Sequence, residues 1–238
     1  MISCVHSHIS SALDRWTESH WYIHQIEANY HSPDLFRYSL NSFIRAVKEI
    51  PQILKMELQH HPDYKLKLKP ITNSMYRDAL FAVLHKKRDF IVHQGMLDLL
   101  SDGMVGTTEG RGVKIGISFQ VSPHESSSEA YDRFKRLCRE NEFIRSLAGP
   151  DCDSWPCIIR HWKIREFPDS DLLDICIAAW KKTGTILSEI LEALGGEELD
   201  LSLSCRHDPK KVRMVEFSQR EFFMSVDGID LPTNLRKS

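Results

Sequence analysis

The stretch HKKRDFIVHQG, residues 85–95, carries an arginine and a histidine five positions apart, Arg88 and His93. The two types make chemical sense together. An imidazole titrates near neutral pH and moves a proton, while a guanidinium stays charged and steadies a phosphate or an oxyanion. Lys86 and Lys87 add local positive charge, and His85 precedes Asp89 by one helical turn, as Asp89 precedes His93. The bare pattern of Arg, four to six residues, then His also occurs at Arg15 and His20, about what chance gives with 12 histidines in the chain. Geometry sets a condition. Positions five apart on an ideal helix diverge by roughly 140°. Arg88 and His93 converge only if the helix ends within RDFIVH, or if two copies of the chain meet there in a symmetric dimer.

Metal binding is a second chemistry open to these residues. His20 and His24 are spaced i, i+4, and His85, Asp89 and His93 are spaced i, i+4 and i+8, which can place ligands on one helix face. No Glu-x-x-His pair accompanies them, and His20 falls in an apolar stripe, so no metal ligand is assigned and no cofactor is expected. The six cysteines, Cys4, Cys138, Cys152, Cys157, Cys176 and Cys205, form no CxxC pair and no metal-ligand spacing. Even the closest two, Cys152 and Cys157 around DSWP, read as free thiols in a reducing compartment. SDGMVGTTEGRG has glycines but no following Lys-Ser/Thr, so it reads as a mobile connection or lid and not a phosphate loop. No G-x-S-x-G nucleophile turn occurs. The basic stretch CRHDPKKVR, residues 205–213, reads as a solvated hairpin tip.

The elements that must position these residues are mainly helical at first. Ile9, Leu13, Trp16, His20 and Ile23 form one apolar stripe. After HSPD, with Ser32 as cap and Pro33 in the first turn, a longer stripe runs through Phe36, Leu40, Phe43, Val47, Ile50, Leu54 and Leu58. Pro51 inside it predicts a kink. QHHPDYKLKLKPITNS reads as a connection, and Tyr76, Leu80, Val83 and Leu84 open a third helix that runs into the Arg88 stretch. Beyond residue 100 the period changes. GVKIGISFQV alternates as a half-buried strand, SSSEAYDRFKRLCRENEFIRSL is a helix with a capping box from Ser126 to Glu129, and CIIRHWKIREF is another strand. A long helix over about 170–194, capped by Asp169 or Ser170, ends at Gly195 and Gly196. Alternation at Leu199, Leu201 and Leu203, and the apolar KVRMVEF, predict further strands. The fold class is mainly α or α+β: a helical bundle with a small antiparallel β region appended or inserted. The organisation is a bundle over 1–100 and an α+β elaboration over 101–238, whose long helix packs back on the bundle, giving one domain; a clean split near residue 100 is the alternative.

A helical bundle, a basic lead-in, Arg, Asp, three large apolar residues and His: in these features KKRDFIVH resembles the signature of the HEPN superfamily, at Arg88, Asp89 and His93. The resemblance covers about residues 8–95, and the strands after residue 110 lie outside the core pattern. It implies a metal-independent endoribonuclease in which an RNA 2′-OH attacks the adjacent phosphate, leaving a cyclic phosphate and a free 5′-OH. His93 would act as general base or acid, Arg88 would hold the phosphate, Asp89 would orient the imidazole, and Lys86, Lys87 and His85 would contact RNA. It also implies a homodimer with its site at the interface, and a toxin or defence setting with an antitoxin or regulatory partner. Non-catalytic binding or assembly members also exist, so the motif leaves both roles open.

Bulk properties fit that expectation without choosing it. The 238 residues are 42% hydrophobic and 27% charged, enough for a substantial core. A formal net charge of -2 gives no global field for nucleic acid, so RNA binding needs a local patch. With no signal-like start and no apolar run of about 20 residues, a cytoplasmic protein without membrane contact is expected.

Overall fold

The computed structural model describes residues 6–229 apart from 94, 110, 111, 152 and 206, so the readings on Cys4 and Cys152 lie outside the described residues. The chain is mainly helical with one small antiparallel sheet, the α+β class expected. It divides into two compact units: Met1–Ala28, Leu35–Asp98 and Glu166–Arg206 form a helical unit, and Asn29–Asp34, Leu99–Arg165 and His207–Ser238 form a sheet unit.

In the helical unit, α1 (Ser10–Ala28) and α2 (Pro33–Leu58) run antiparallel. Glu57 near the end of α2 accepts from the N–H groups of Ser11 and Ala12 at the start of α1, at 2.7 and 3.2 Å. These are helix-start amides with no intrahelical partner, and a carboxylate there also suits the helix dipole. The α2 stripe from Phe36 to Leu58 is buried throughout, and the helix continues through Pro51. The segment read as a connection is instead helical: a π-helical turn, Tyr64–Leu68, leads into α3 (Lys69–Arg77), and α4 spans Ala79–His93. Tyr64, Leu68, Thr72 and Met75 supply its buried face at helical spacing, a period hidden among the charged residues between them.

Helix α7 (Leu172–Ala193) packs on α1 and α3. Its cap is Asp171, whose carboxylate accepts from Leu173 N–H at 2.9 Å, one or two positions beyond the caps expected. The α1–α7 contact is a pair of stacked indoles, Trp16 and Trp180, with centroids 4.5 Å apart. Each indole N–H donates to the other residue's carbonyl, at 3.1 and 3.3 Å, so both buried donors are satisfied. Gly184 leaves the room this needs: a Cβ there would sit 2.8 Å from the Trp16 ring and 2.4 Å from Leu201. Leu199–Leu203, expected as a strand, is irregular chain, because Leu201 packs into the Gly184 notch and Leu199 N–H donates to Ser188 Oγ at 3.0 Å.

The sheet unit has strand order β2-β1-β3-β4, all antiparallel: β1 (Leu100–Glu109), β2 (Gly112–Phe119), β3 (Trp155–Lys163) and β4 (Met214–Glu216). Residues 101–109 of the glycine-bearing segment read as a mobile connection belong to β1, an inner strand. Its glycines mark close approach; a Cβ on Gly106 would fall 2.0 Å from the Ile115 carbonyl oxygen. One sheet face is covered by α5 (Ser127–Glu140), α6 (Glu142–Ala148) and α9 (Gln219–Val226) around Val105, Phe119, Phe134, Ile158 and Phe222. The Ser126–Glu129 capping box forms as read. The basic stretch after residue 208 is a short helix, α8 (Pro209–Arg213), not a hairpin tip.

Candidate functional site

Helix α4 starts where Asp78 accepts from the N–H groups of Leu80 and Phe81, at 2.8 and 3.3 Å. Burial opposes ionisation of Asp78, but Lys182 at 2.5 Å and the two amides hold its pKa below the ordinary carboxylate value. Phe81 and Leu84 are the buried residues of α4, and Arg88 continues that line one turn on. Tyr76, expected to open this helix, lies on α3 and is 56% exposed.

The arrangement around Arg88 bears on the sequence expectation at three points. First, α4 is continuous through RDFIVH to His93, so within one chain Arg88 and His93 leave the helix in diverging directions. No hydrogen bond or ion pair joins them among the described residues. Second, Asp89 does not orient His93. Its carboxylate is ion-paired with Lys48 and accepts from Arg88 Nη1 at 3.3 Å, and these cations, Lys48 foremost, lower its pKa. Third, Lys87, expected to contact RNA, pairs with Glu166 at 2.9 Å and is 17% exposed. Lys86 and His93 are exposed. His85 is half-buried, edge-on to Tyr76 at 5.9 Å, and burial followed by the nearby Lys48 charge lowers its pKa.

Two polar atoms of this region have no partner although they are buried: His85 Nε2 and Arg88 Nε. Around the helix end, Phe90, Val92 and Met96 leave apolar surface exposed beside His93. The helix closes with a bond from Gly95 N–H to the Phe90 carbonyl at 3.2 Å, and Gly95 has φ 129°, in the region glycine tolerates.

A second constellation lies on α1. His20 and His24 are joined there by Cys205, with the three potential ligand atoms all within 4.8 Å of one another. His85, Asp89 and His93 form no such group among the described residues. Burial first, then the adjacent His24, lowers the pKa of His20. Sequence reading found the histidine pair and missed Cys205, which lies 185 residues from His20 with no spacing to signal it. In the sheet unit an open depression is lined by Ser122, His124, Glu125, Glu129, Asp132 and Arg136, and its carboxylates make it a poor seat for phosphate. No helix among the described residues is long and apolar enough to cross a membrane.

No curated protein and no solved structure matches the chain. A family model described as bacteriophage lambda protein ea47 matches residues 6–211, which include Arg88, His93, His20, His24 and Cys205. The match spans most of both units, and the chain belongs to the bacteriophage lambda ea47 family.

Proposed function

We propose that this protein is an HEPN-type, metal-independent endoribonuclease whose active form is a homodimer. The observation that carries the reading is Arg88, whose side chain keeps 30% of its surface open and bonds only its neighbour Asp89 among the described residues, at 3.3 Å. A phosphate oxygen is a strong acceptor for the open edge of a guanidinium. Because α4 is continuous, a two-fold axis beside its end is what pairs Arg88 of one copy with His93 of the other. Exposed Phe90, Val92 and Met96 supply apolar surface for that contact.

In this reading His93 takes the proton from the RNA 2′-OH, or gives one to the departing 5′ oxygen. The 2′ oxygen bonds to phosphorus as the bond to the 5′ oxygen breaks, leaving a 2′,3′-cyclic phosphate and a 5′-OH. Arg88 stabilises charge on the phosphoryl oxygens. Asp89 fixes the guanidinium, and Lys86 offers the charge for the RNA backbone that Lys87 has committed to Glu166. The setting is a toxin or defence system in the cytoplasm, restrained by an antitoxin or regulatory partner.

The test is cleavage of a mixed RNA pool in excess EDTA, with the oligomeric state measured by sedimentation. Wild type should cut and leave cyclic phosphate ends, and His93→Ala should lose about 10²- to 10⁴-fold in rate. A second reading, a non-catalytic binding or assembly module, is favoured by the internal pairing of Lys87 and Asp89. A folded wild-type dimer that cuts nothing would select it.

A further inference from the structure

The His20–His24–Cys205 constellation has the make-up of a transition-metal site. Its two histidines are one turn apart on α1, which brings their rings together, tilted by 43°, with centroids 4.9 Å apart. Cys205 Sγ lies 3.4 Å from His20 Nε2. A tetrahedral ion with metal–sulfur and metal–nitrogen bonds of about 2.3 and 2.0 Å would separate those two atoms by about 3.5 Å. The observed distance is therefore already that of a pair sharing one ion.

Two further features belong to such a site. His24 Nδ1 is held by Glu27 Oε2 at 3.2 Å, and Glu27 is buried. A carboxylate on one ring nitrogen fixes the imidazole and leaves the other, Nε2, for a metal. Cys205 is held near α1 by packing, since Leu201 sits in the Gly184 notch against Trp16 and Leu199 is bonded to Ser188. The site is thus preformed by contacts that do not need the ion.

We propose that His20, His24 and Cys205 bind one zinc ion, which clips the chain after α7 to α1 and keeps a water molecule in its fourth position. A mixed nitrogen and thiolate donor set suits Zn²⁺, which has no d-electron preference for another geometry. Binding releases one proton, from the Cys205 thiol, while both imidazoles bind as neutral ligands. The site shares no residue with Arg88 and His93 and does not depend on the ribonuclease reading.

The experiment is metal analysis of the purified full-length protein, followed by Co²⁺ titration of protein stripped with chelator. One equivalent of zinc and a thiolate-to-cobalt charge-transfer band are expected. Cys205→Ser should abolish the band and weaken metal binding more than about 100-fold, and Glu27→Gln, which removes only the orienting carboxylate, about 10-fold. Cys205→His, which restores a ligand, should keep the zinc and lose the band, so a folding defect and a lost ligand are told apart. A folded wild type with no thiolate band, or Cys205→Ser binding as tightly as wild type, overturns the proposal. So does fast alkylation of Cys205 in chelator that added zinc leaves unchanged, which would make the Cys205–His20 contact a reactive thiol–imidazole pair. Because EDTA would strip this ion, RNA cleavage is also run with zinc-loaded protein in magnesium-free buffer, where His93→Ala must again be the inactive variant.

Discussion

Each unit contains an arginine and a histidine that sequence alone would treat as equivalent. In the sheet unit Arg160 is fully buried, with Nε donating to Ser101 Oγ at 2.9 Å and the two terminal nitrogens to the carbonyls of Glu125 and Ser122, at 2.7 and 2.8 Å. Its guanidinium lies over the Trp162 ring, and burial draws its pKa down to about 10, so it stays charged at neutral pH. His31 is equally committed, with Nδ1 at 2.8 Å from Ser127 Oγ and Nε2 at 3.0 Å from the Val212 carbonyl. In the helical unit Arg88 makes one long bond to its neighbour and leaves Nε without an acceptor, and His93 faces solvent. The contrast teaches where to look. Fully partnered groups are engaged in holding the fold, while unpartnered ones have bonding capacity left for a ligand or a second copy.

The strongest way to break this comparison is to remove both arginines in the same manner. Arg160→Met strands one hydroxyl and two carbonyls, and should cost the sheet unit about 3 kcal/mol in denaturant unfolding. Arg88→Met should cost less than about 0.5 kcal/mol, and equal losses would sink the distinction.

Acid titration sharpens the same contrast for the histidines. Burial, with the nearby Arg160 charge adding to it, lowers the His31 pKa from 6.5 to about 4, although the bond to Val212 opposes the shift. An imidazole kept neutral in the native state contributes stability that is fully present above pH 6.5 and lost as pH falls towards 4. Amide exchange in β1 and β3 should report a loss of up to about 3 kcal/mol over that interval, and His31→Asn should flatten it. The smallest expected effect is on the other side. His93→Ala should change stability by less than about 0.5 kcal/mol, even where, on the proposed ribonuclease reading, it suppresses RNA cleavage. A large loss of stability would instead make His93 a structural residue.

Much of the fold was legible because burial repeats with the period of the element. The α2 stripe from Phe36 to Leu58, the capping box at Ser126 and Glu129, and the β3 strand all follow from local pattern. The failures have equally local causes. The π-helical turn and α3 together hide four buried side chains among lysines, and β1 carries glycines that resemble loop residues until β2 is laid beside them. For the candidate sites the division is sharper. Sequence determined that His20 and His24 share a helix face and that Arg88 and His93 do not, because both follow from 3.6 residues per turn. Only the tertiary structure decided that Cys205 completes the first pair, that Lys48 and Glu166 occupy Asp89 and Lys87, and that Arg88 Nε is left without a partner. Each of those depends on contacts between segments distant in the chain, which packing selects and no local period encodes.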